Sequence, residues 1–314
     1  MGSSNLRIIF MGTPDFAVPS LRELIENNEN IVAVVTQPDR PKGRGRKLTQ
    51  PPVKLLAEQA GIKVLQPTKI RTESFLDELR RFQPDVILVA AYGRILPPAV
   101  LSLPRLGCIN VHGSILPKYR GAAPIQTAIL RGEREAGVTI MQMDSGLDTG
   151  DMLLVGSLPV SDQDTSATLI PRLAELGGSL LHQSLGLLVA GRLEPKKQDD
   201  GQATLAPPLT KEDGVIDWKN SAFAISCQIR ALDPWPTAYT RIQGKQIKLF
   251  MPTVIAEDNP GQPGVIVSAD KKGLVIACGK NQIRIAEVQA DGGKRMPVHA
   301  FLLGHSLLSG VALG

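Results

Sequence analysis

Gly107-Cys108-Ile109-Asn110-Val111-His112-Gly113-Ser114-Ile115-Leu116-Pro117-Lys118-Tyr119-Arg120-Gly121 begins as an apolar strand and ends in a turn-rich loop. Side chains alternate along a strand, so Asn110 and His112 share one face while Ile109 and Val111 take the other. The run Val86–Ala91 before it and the run Gly137–Met143 after it are also strand-like and apolar. Strands apolar on both faces read as a parallel sheet covered on both sides. Ligands in such folds bind at the carboxyl ends of the strands, where Asn110 and His112 fall.

Outward from this stretch the same pattern repeats. Leu6–Met11 and Ile31–Thr36 read as strands, and Val64–Gln66 as a short extended run. Helical periodicity marks Phe16–Glu26, Val53–Ala60, Ser74–Phe82, Ala123–Leu130 and Thr168–Val189. Strands alternating with helices predict an α/β fold with a Rossmann-like, mostly parallel sheet over 1–193. The pattern changes after Gly191. Residues 194–209 are polar and carry Pro195, Pro207 and Pro208, which reads as a linker. Residues 210–314 hold one helix and about five short strand-like runs, which predicts a small C-terminal β-barrel of OB-like type.

A strand-end imidazole can move a proton near neutral pH, and an amide beside it can donate to a developing oxyanion. The bland alternative is a structural histidine satisfied by its neighbours. The loop Ser145-Gly146-Leu147-Asp148-Thr149-Gly150-Asp151 brings carboxylates to the end of the next strand, where one is expected to meet His112. A carboxylate there would orient the imidazole, raise its pKa and favour its protonated form.

Between Arg40 and Lys47 five of eight residues are basic and none is acidic. The cations are Arg40, Lys42, Arg44, Arg46 and Lys47, with Gly43 and Gly45 between them. Such runs are commonly solvated loops. On the carboxyl edge of a sheet, this one is also suited to phosphate contacts with a polyanion.

Other classes are excluded by absence. Gly12-Thr13-Pro14-Asp15 has too few glycines for a dinucleotide fingerprint. Asp144–Asp151 lacks the turn glycine and bidentate glutamate of an EF-hand. The four histidines and three cysteines stand at no metal-ligand spacing, so no metal is expected. Three scattered cysteines and the lack of a signal-like N-terminus suit a cytoplasmic protein. No apolar run is long enough for a membrane span, and nothing calls for an obligate protein partner.

The blocks Phe10–Phe16, Thr36–Pro41, Ala91–Pro97, Asn110–Gly121 and Gly146–Asp151 resemble the folate-dependent formyltransferase superfamily. Within it, the basic loop, linker and barrel resemble the tRNA-specific branch, the methionyl-tRNA formyltransferases. The resemblance implies transfer of a formyl group from 10-formyltetrahydrofolate, as co-substrate, to the methionine amine of initiator methionyl-tRNA, in support of translation initiation. It implies catalytic roles for Asn110, His112 and Asp148. It implies folate contacts at Ser114, Ile115, Leu116 and Pro117, and at Arg94, Ile95 and Leu96. It places Arg40–Lys47 at the acceptor end of the tRNA and the barrel on the tRNA body. A sugar-nucleotide N-formyltransferase, or a non-catalytic nucleic-acid-binding protein, are the alternative readings.

Overall fold

The computed structural model describes residues 5–42, 47–257, 261–305 and 307–314, with only the backbone of Lys42 and Lys47. Two compact units divide the chain. The first comprises Met1–Pro124, Ala136–Leu158 and Ile170–Ala206; the second comprises Ile125–Glu135, Pro159–Leu169 and Pro207–Gly314.

The chain opens with β1 (Ile8–Gly12), α1 (Val18–Glu26), β2 (Ile31–Val35), β3 (Arg40–Lys42), β4 (Lys47–Thr49) and α2 (Pro52–Gln59). There follow β5 (Val64–Leu65), α3 (Glu73–Arg81), β6 (Val86–Ala90), α4 (Pro98–Leu101), β7 (Cys108–His112) and β8 (Arg120–Gly121). Next come α5 (Pro124–Leu130), β9 (Glu135–Gln142), β10 (Met152–Pro159), α6 (Ser166–Val189) and β11 (Leu205–Ala206).

The main sheet of the first unit runs β10-β9-β7-β6-β1-β2-β5. Strands β5, β2, β1, β6 and β7 run parallel to one another. The chain moves from β1 to one side of the sheet, then returns to place β6 on the other side. The resulting switch point between β1 and β6 opens a crevice at their carboxyl ends. One face of the sheet carries Ile9, Met11, Val35, Ile87, Val89 and Cys108, packed against Phe75, Leu76 and Leu79 of α3. Thr72 caps α3, its Oγ1 accepting from Phe75 N at 3.4 Å, and Arg80 and Arg81 close its last turn. On the opposite face α6 lies so close that a Cβ on Gly177 would come within 2.8 Å of Val111 Cγ1. Strand alternation thus puts Asn110 and His112 on the α3 side with Cys108.

Two expectations change. β9 is antiparallel to β7, with His112 opposite Thr139 and Ile109 opposite Gln142. An apolar run marks a buried strand but carries no direction, so β9 does not share its carboxyl edge with β7. The segment read as a linker is extended and paired within the first unit. Lys196 bridges Met152, and β11 runs parallel to β8. The basic run is strand-paired at both ends: β3 and β4 form an antiparallel hairpin, Arg40 opposite Thr49 and Lys42 opposite Lys47. Arg44 and Arg46, with Gly43 and Gly45, lie outside the described residues.

The second unit adds α7 (Ala222–Ala231), β12 (Tyr239–Ile242), β13 (Lys245–Ile255), β14 (Ile266–Asp270), β15 (Gly273–Ala277), β16 (Gln282–Ala290), β17 (Met296–Pro297) and α8 (Val298–Leu302). Its strands order as β12-β13-β16-β15-β14, with β17 on β16, all pairs antiparallel. The sheet curls as a half-barrel around Leu249, Ile266, Leu274, Ile276, Ile283 and Ile285, with Ile225 and Ile229 of α7 against them. This is the small barrel-like domain that the short runs predict. Among the described residues no helix is long and apolar enough to cross a membrane.

Candidate active site

The loop after β7 curls back on itself. Ser114 N donates to His112 O at 2.9 Å, and Lys118 N to Ile115 O at 3.2 Å. Thr139 holds the curl from β9: its hydroxyl donates to Ser114 O at 2.7 Å and accepts from Leu116 N at 3.1 Å. The curl returns the Tyr119 carbonyl to His112, 3.1 Å from Nε2. A carbonyl oxygen only accepts, so Nε2 carries hydrogen and Nδ1 holds the free lone pair of the neutral ring.

His112 Nδ1 faces Asp148 Oδ2 at 3.6 Å. Asp148 arrives by an unexpected route. Met143 N bonds to Cys108 O at 2.8 Å, so the loop after β9 starts at the amino end of β7. The loop folds back to bring Asp148 to His112. Asp148 sits in the left-handed region at φ 53°, and Gly121 N donates to its Oδ2 at 2.9 Å. Asp144 stiffens the same loop, accepting from Gly146 N at 3.0 Å and Thr149 Oγ1 at 2.7 Å.

Burial pushes His112 below its ordinary 6.5; the Asp148 charge and the bond to the Tyr119 carbonyl pull upward without overcoming it. Asp148 raises the pKa as expected, but burial outweighs it and the net direction is downward, which favours the neutral ring with Nδ1 as proton acceptor. Asn110, one pleat earlier, is half-buried and its carboxamide has no hydrogen-bond partner among the described residues. Cys108 takes no part: burial pushes its thiol up to about 12.

The remaining expected residues divide. Ser114 is buried and its hydroxyl is occupied, donating to Lys118 O at 2.6 Å. Leu116 is buried, and Ile115 and Pro117 are half-buried. Ile95 and Leu96 line a cavity of about 430 Å³ with Ile70, Leu76, Val100 and Ser145. Ser145 belongs to the loop that carries Asp148. The Arg94 guanidinium is directed elsewhere. Its Nε donates to Gln37 Oε1 at 3.0 Å and its Nη1 to Thr68 O at 3.0 Å. Gln37 in turn bonds Tyr92 O at 3.2 Å. Beside it, the Gln66 amide and the Lys54 ammonium hold Asp39 below the usual carboxylate range. This network fixes the root of the β3–β4 hairpin to the carboxyl edge.

Sequence reasoning missed Gln198. It lies in the paired segment after α6, and its amide donates to Asp148 O at 2.8 Å and Gly150 O at 2.7 Å. No local motif announces it.

A proton acceptor, an unpartnered amide donor and a carboxylate make a site suited to acyl transfer to an amine. The comparisons agree. The formyl transferase family model matches residues 6–185, and the model of the formyl transferase C-terminal domain matches 208–306. A methionyl-tRNA formyltransferase of Desulfotalea psychrophila is 55% identical over 300 residues, covering 96% of this chain and 93% of that protein. One from Caldanaerobacter subterraneus is 50% identical, covering 98% of this chain and 100% of its own. Among solved structures, the N-formyltransferase from Helicobacter canadensis in complex with folinic acid and dTDP-3-aminofucose shares the fold. Its TM-score is 0.67 at 21% identity, covering 89% of this chain and 98% of that one.

Proposed function

The chain belongs to the methionyl-tRNA formyltransferase family, and from that premise we propose that it formylates the methionine amine of initiator methionyl-tRNA for translation initiation. The donor is 10-formyltetrahydrofolate and the compartment the cytoplasm. The observation that carries the reading is His112 with Nε2 on the Tyr119 carbonyl and Nδ1 toward Asp148, one pleat from Asn110.

The donor would occupy the cavity. Its apolar wall at Ile95, Leu96 and Val100 suits a flat ring system. Ser114, Ile115, Leu116 and Pro117 would border the donor on the other side, and Arg94 would frame the rim. The neutral amine adds to the formyl carbon, and a C–N bond forms. Negative charge grows on the formyl oxygen, where Asn110 donates a hydrogen bond. His112 Nδ1 accepts the proton lost by the amine, and Asp148 stabilises the imidazolium so formed. The proton then passes to the leaving folate nitrogen as its bond to carbon breaks. Every atom and proton is thus accounted for with two side chains and one carboxylate.

We assign this chemistry to 1–193, with 194–209 joining it to a tRNA-binding domain, 210–314. Arg40, Lys42, Arg44, Arg46 and Lys47 would meet the phosphates of the acceptor end. A transfer assay with charged initiator tRNA, charged elongator tRNA and an amino sugar nucleotide tests the reading. Formyl on initiator methionyl-tRNA is expected. Transfer to the sugar alone, or to none, overturns it.

A further inference from the structure

We propose that Gln198 is a positioning residue for the transfer, holding Asp148 against His112 from outside the site. The proposal rests on the formyl-transfer reading for its rate effects, and on geometry alone for its titration effect.

Asp148 needs an external hold. Its backbone is in the left-handed region, which a non-glycine residue keeps only when its surroundings fix it. Its carboxylate stands 3.6 Å from the imidazole, beyond hydrogen-bond range, so His112 does not hold it in place. Gln198 fixes the backbone on both sides of Thr149. Both its amide hydrogens are used, one on Asp148 O at 2.8 Å and one on Gly150 O at 2.7 Å. The amide's own orientation is set by Arg120. Arg120 Nε and Nη2 donate to Gln198 Oε1 at 3.0 and 2.8 Å, so the oxygen faces Arg120 and the nitrogen faces the loop. Arg120 is itself buried and pairs with Asp200 at 2.7 Å.

The same stretch ties down the histidine side. Tyr119 N donates to Thr204 Oγ1 at 2.9 Å, and Arg120 N to Thr204 O at 2.8 Å. Tyr119 supplies the carbonyl on His112 Nε2, and Gly121 supplies the N–H on Asp148 Oδ2. Residues 196–206 therefore act as a strap that sets both members of the acid–base pair. Gln198 is the point where the strap touches the Asp148 loop.

Two variants separate positioning from mere structure. Gln198→Met keeps the length and removes every hydrogen bond. Gln198→Glu keeps an acceptor for Arg120 but turns a carboxylate oxygen toward two carbonyls. Both should lose transfer rate at saturating charged tRNA and donor, on the order of 100-fold, as a displacement near 1 Å can cause. The KM for tRNA should stay near wild type. In an Asp148→Asn background, Gln198→Met should cost no more than about 2-fold, the scatter expected when nothing is left to position. An NMR titration of His112 in the folded Gln198→Met protein should move to lower pH, as in Asp148→Asn. Wild-type rates, a full additive loss in the Asp148→Asn background, or an unmoved titration in a folded variant would overturn the proposal. An inactive wild type with a shifted His112 titration would instead sink the formyl-transfer reading and leave the positioning role standing.

Discussion

His112 Nδ1 and Asp148 Oδ2 stand 3.6 Å apart, within reach of each other's charge but beyond a hydrogen bond. In the proposed transfer the carboxylate supports the imidazolium that forms, while burial pushes the resting ring's pKa down. Asp148→Asn removes the charge and keeps the shape. The His112 pKa, already below 6.5, should fall further, and the acid limb of the pH–rate profile should move to lower pH with a lower maximum. The folded value lies below the unfolded one, so the unfolded chain binds this proton more tightly. The stability contributed by neutral His112 is present above about pH 6.5 and is lost as pH falls below it. A pH series of single-turnover rates checks the shift. An Asp148 that merely shapes the turn would leave rate and profile intact in the Asn variant.

In the proposed mechanism Asn110 and His112 act at different moments of one reaction. Asn110→Ala removes a donor to the developing oxyanion and should cost about 100- to 1,000-fold in rate. His112→Ala removes the proton acceptor and should cost about 100- to 10,000-fold. Both should fold and bind tRNA nearly as wild type does. Single-turnover rates beside tRNA titrations measure the two separately, and near-normal rates in both would remove the pair from the chemistry.

How far the sequence could be read depends on what each pattern physically constrains. Strand alternation forces Asn110 and His112 onto one face, so their pairing was legible from spacing. The apolar run Gly137–Met143 is equally compatible with either strand direction, and the antiparallel β9 was not legible. The lowered pKa of His112 depends on burial, and its tautomer on the Tyr119 carbonyl, which reaches the ring only because the loop curls under Thr139. Gln198 sits in a polar, proline-bearing segment whose composition is that of any linker. Its role depends on a partner 50 residues earlier in the chain. Charge marked Arg40–Lys47 but could not show that its ends pair as strands.

Arg94 should matter for the frame of the crevice more than for donor affinity. Its guanidinium joins Gln37 to the carbonyl of Thr68, and Gln37 joins both to Tyr92. Arg94→Met leaves these polar groups short of partners and should lower stability by about 1–3 kcal/mol. Urea unfolding beside the donor KM decides the matter. A raised KM with an unchanged midpoint would make Arg94 a direct ligand of the donor.

Gly150 is tested by its smallest enlargement. A Cβ there would fall on the Gln142 carbonyl oxygen, backbone that cannot swing away. Gly150→Ala must part the loop from the end of β9, at a cost of about 1–3 kcal/mol. Because the same peptide carries a carbonyl held by Gln198, the transfer rate should fall with stability. A denaturation curve and a rate on the same preparation check it, and an unchanged value in either would mean that the loop has room to spare.

The basic hairpin makes the last prediction. β3 and β4 hold the two ends of the run on the carboxyl edge of the sheet, and Asp39 at its root pairs with Lys54 and accepts from Gln66. Five cations with no acidic residue among them suit a polyanionic partner. Arg44→Gln with Arg46→Gln should weaken productive tRNA use while donor binding stays near wild type. A protein that neutralises fewer phosphates displaces fewer counterions, so the plot of log affinity against log salt should flatten by about 1 to 2 in slope. The slope separates two explanations that affinity alone would confuse: a deformed hairpin would weaken binding at every salt concentration with the slope unchanged. An unchanged slope together with unchanged transfer efficiency would return the run to a solvated surface with no part in tRNA recognition.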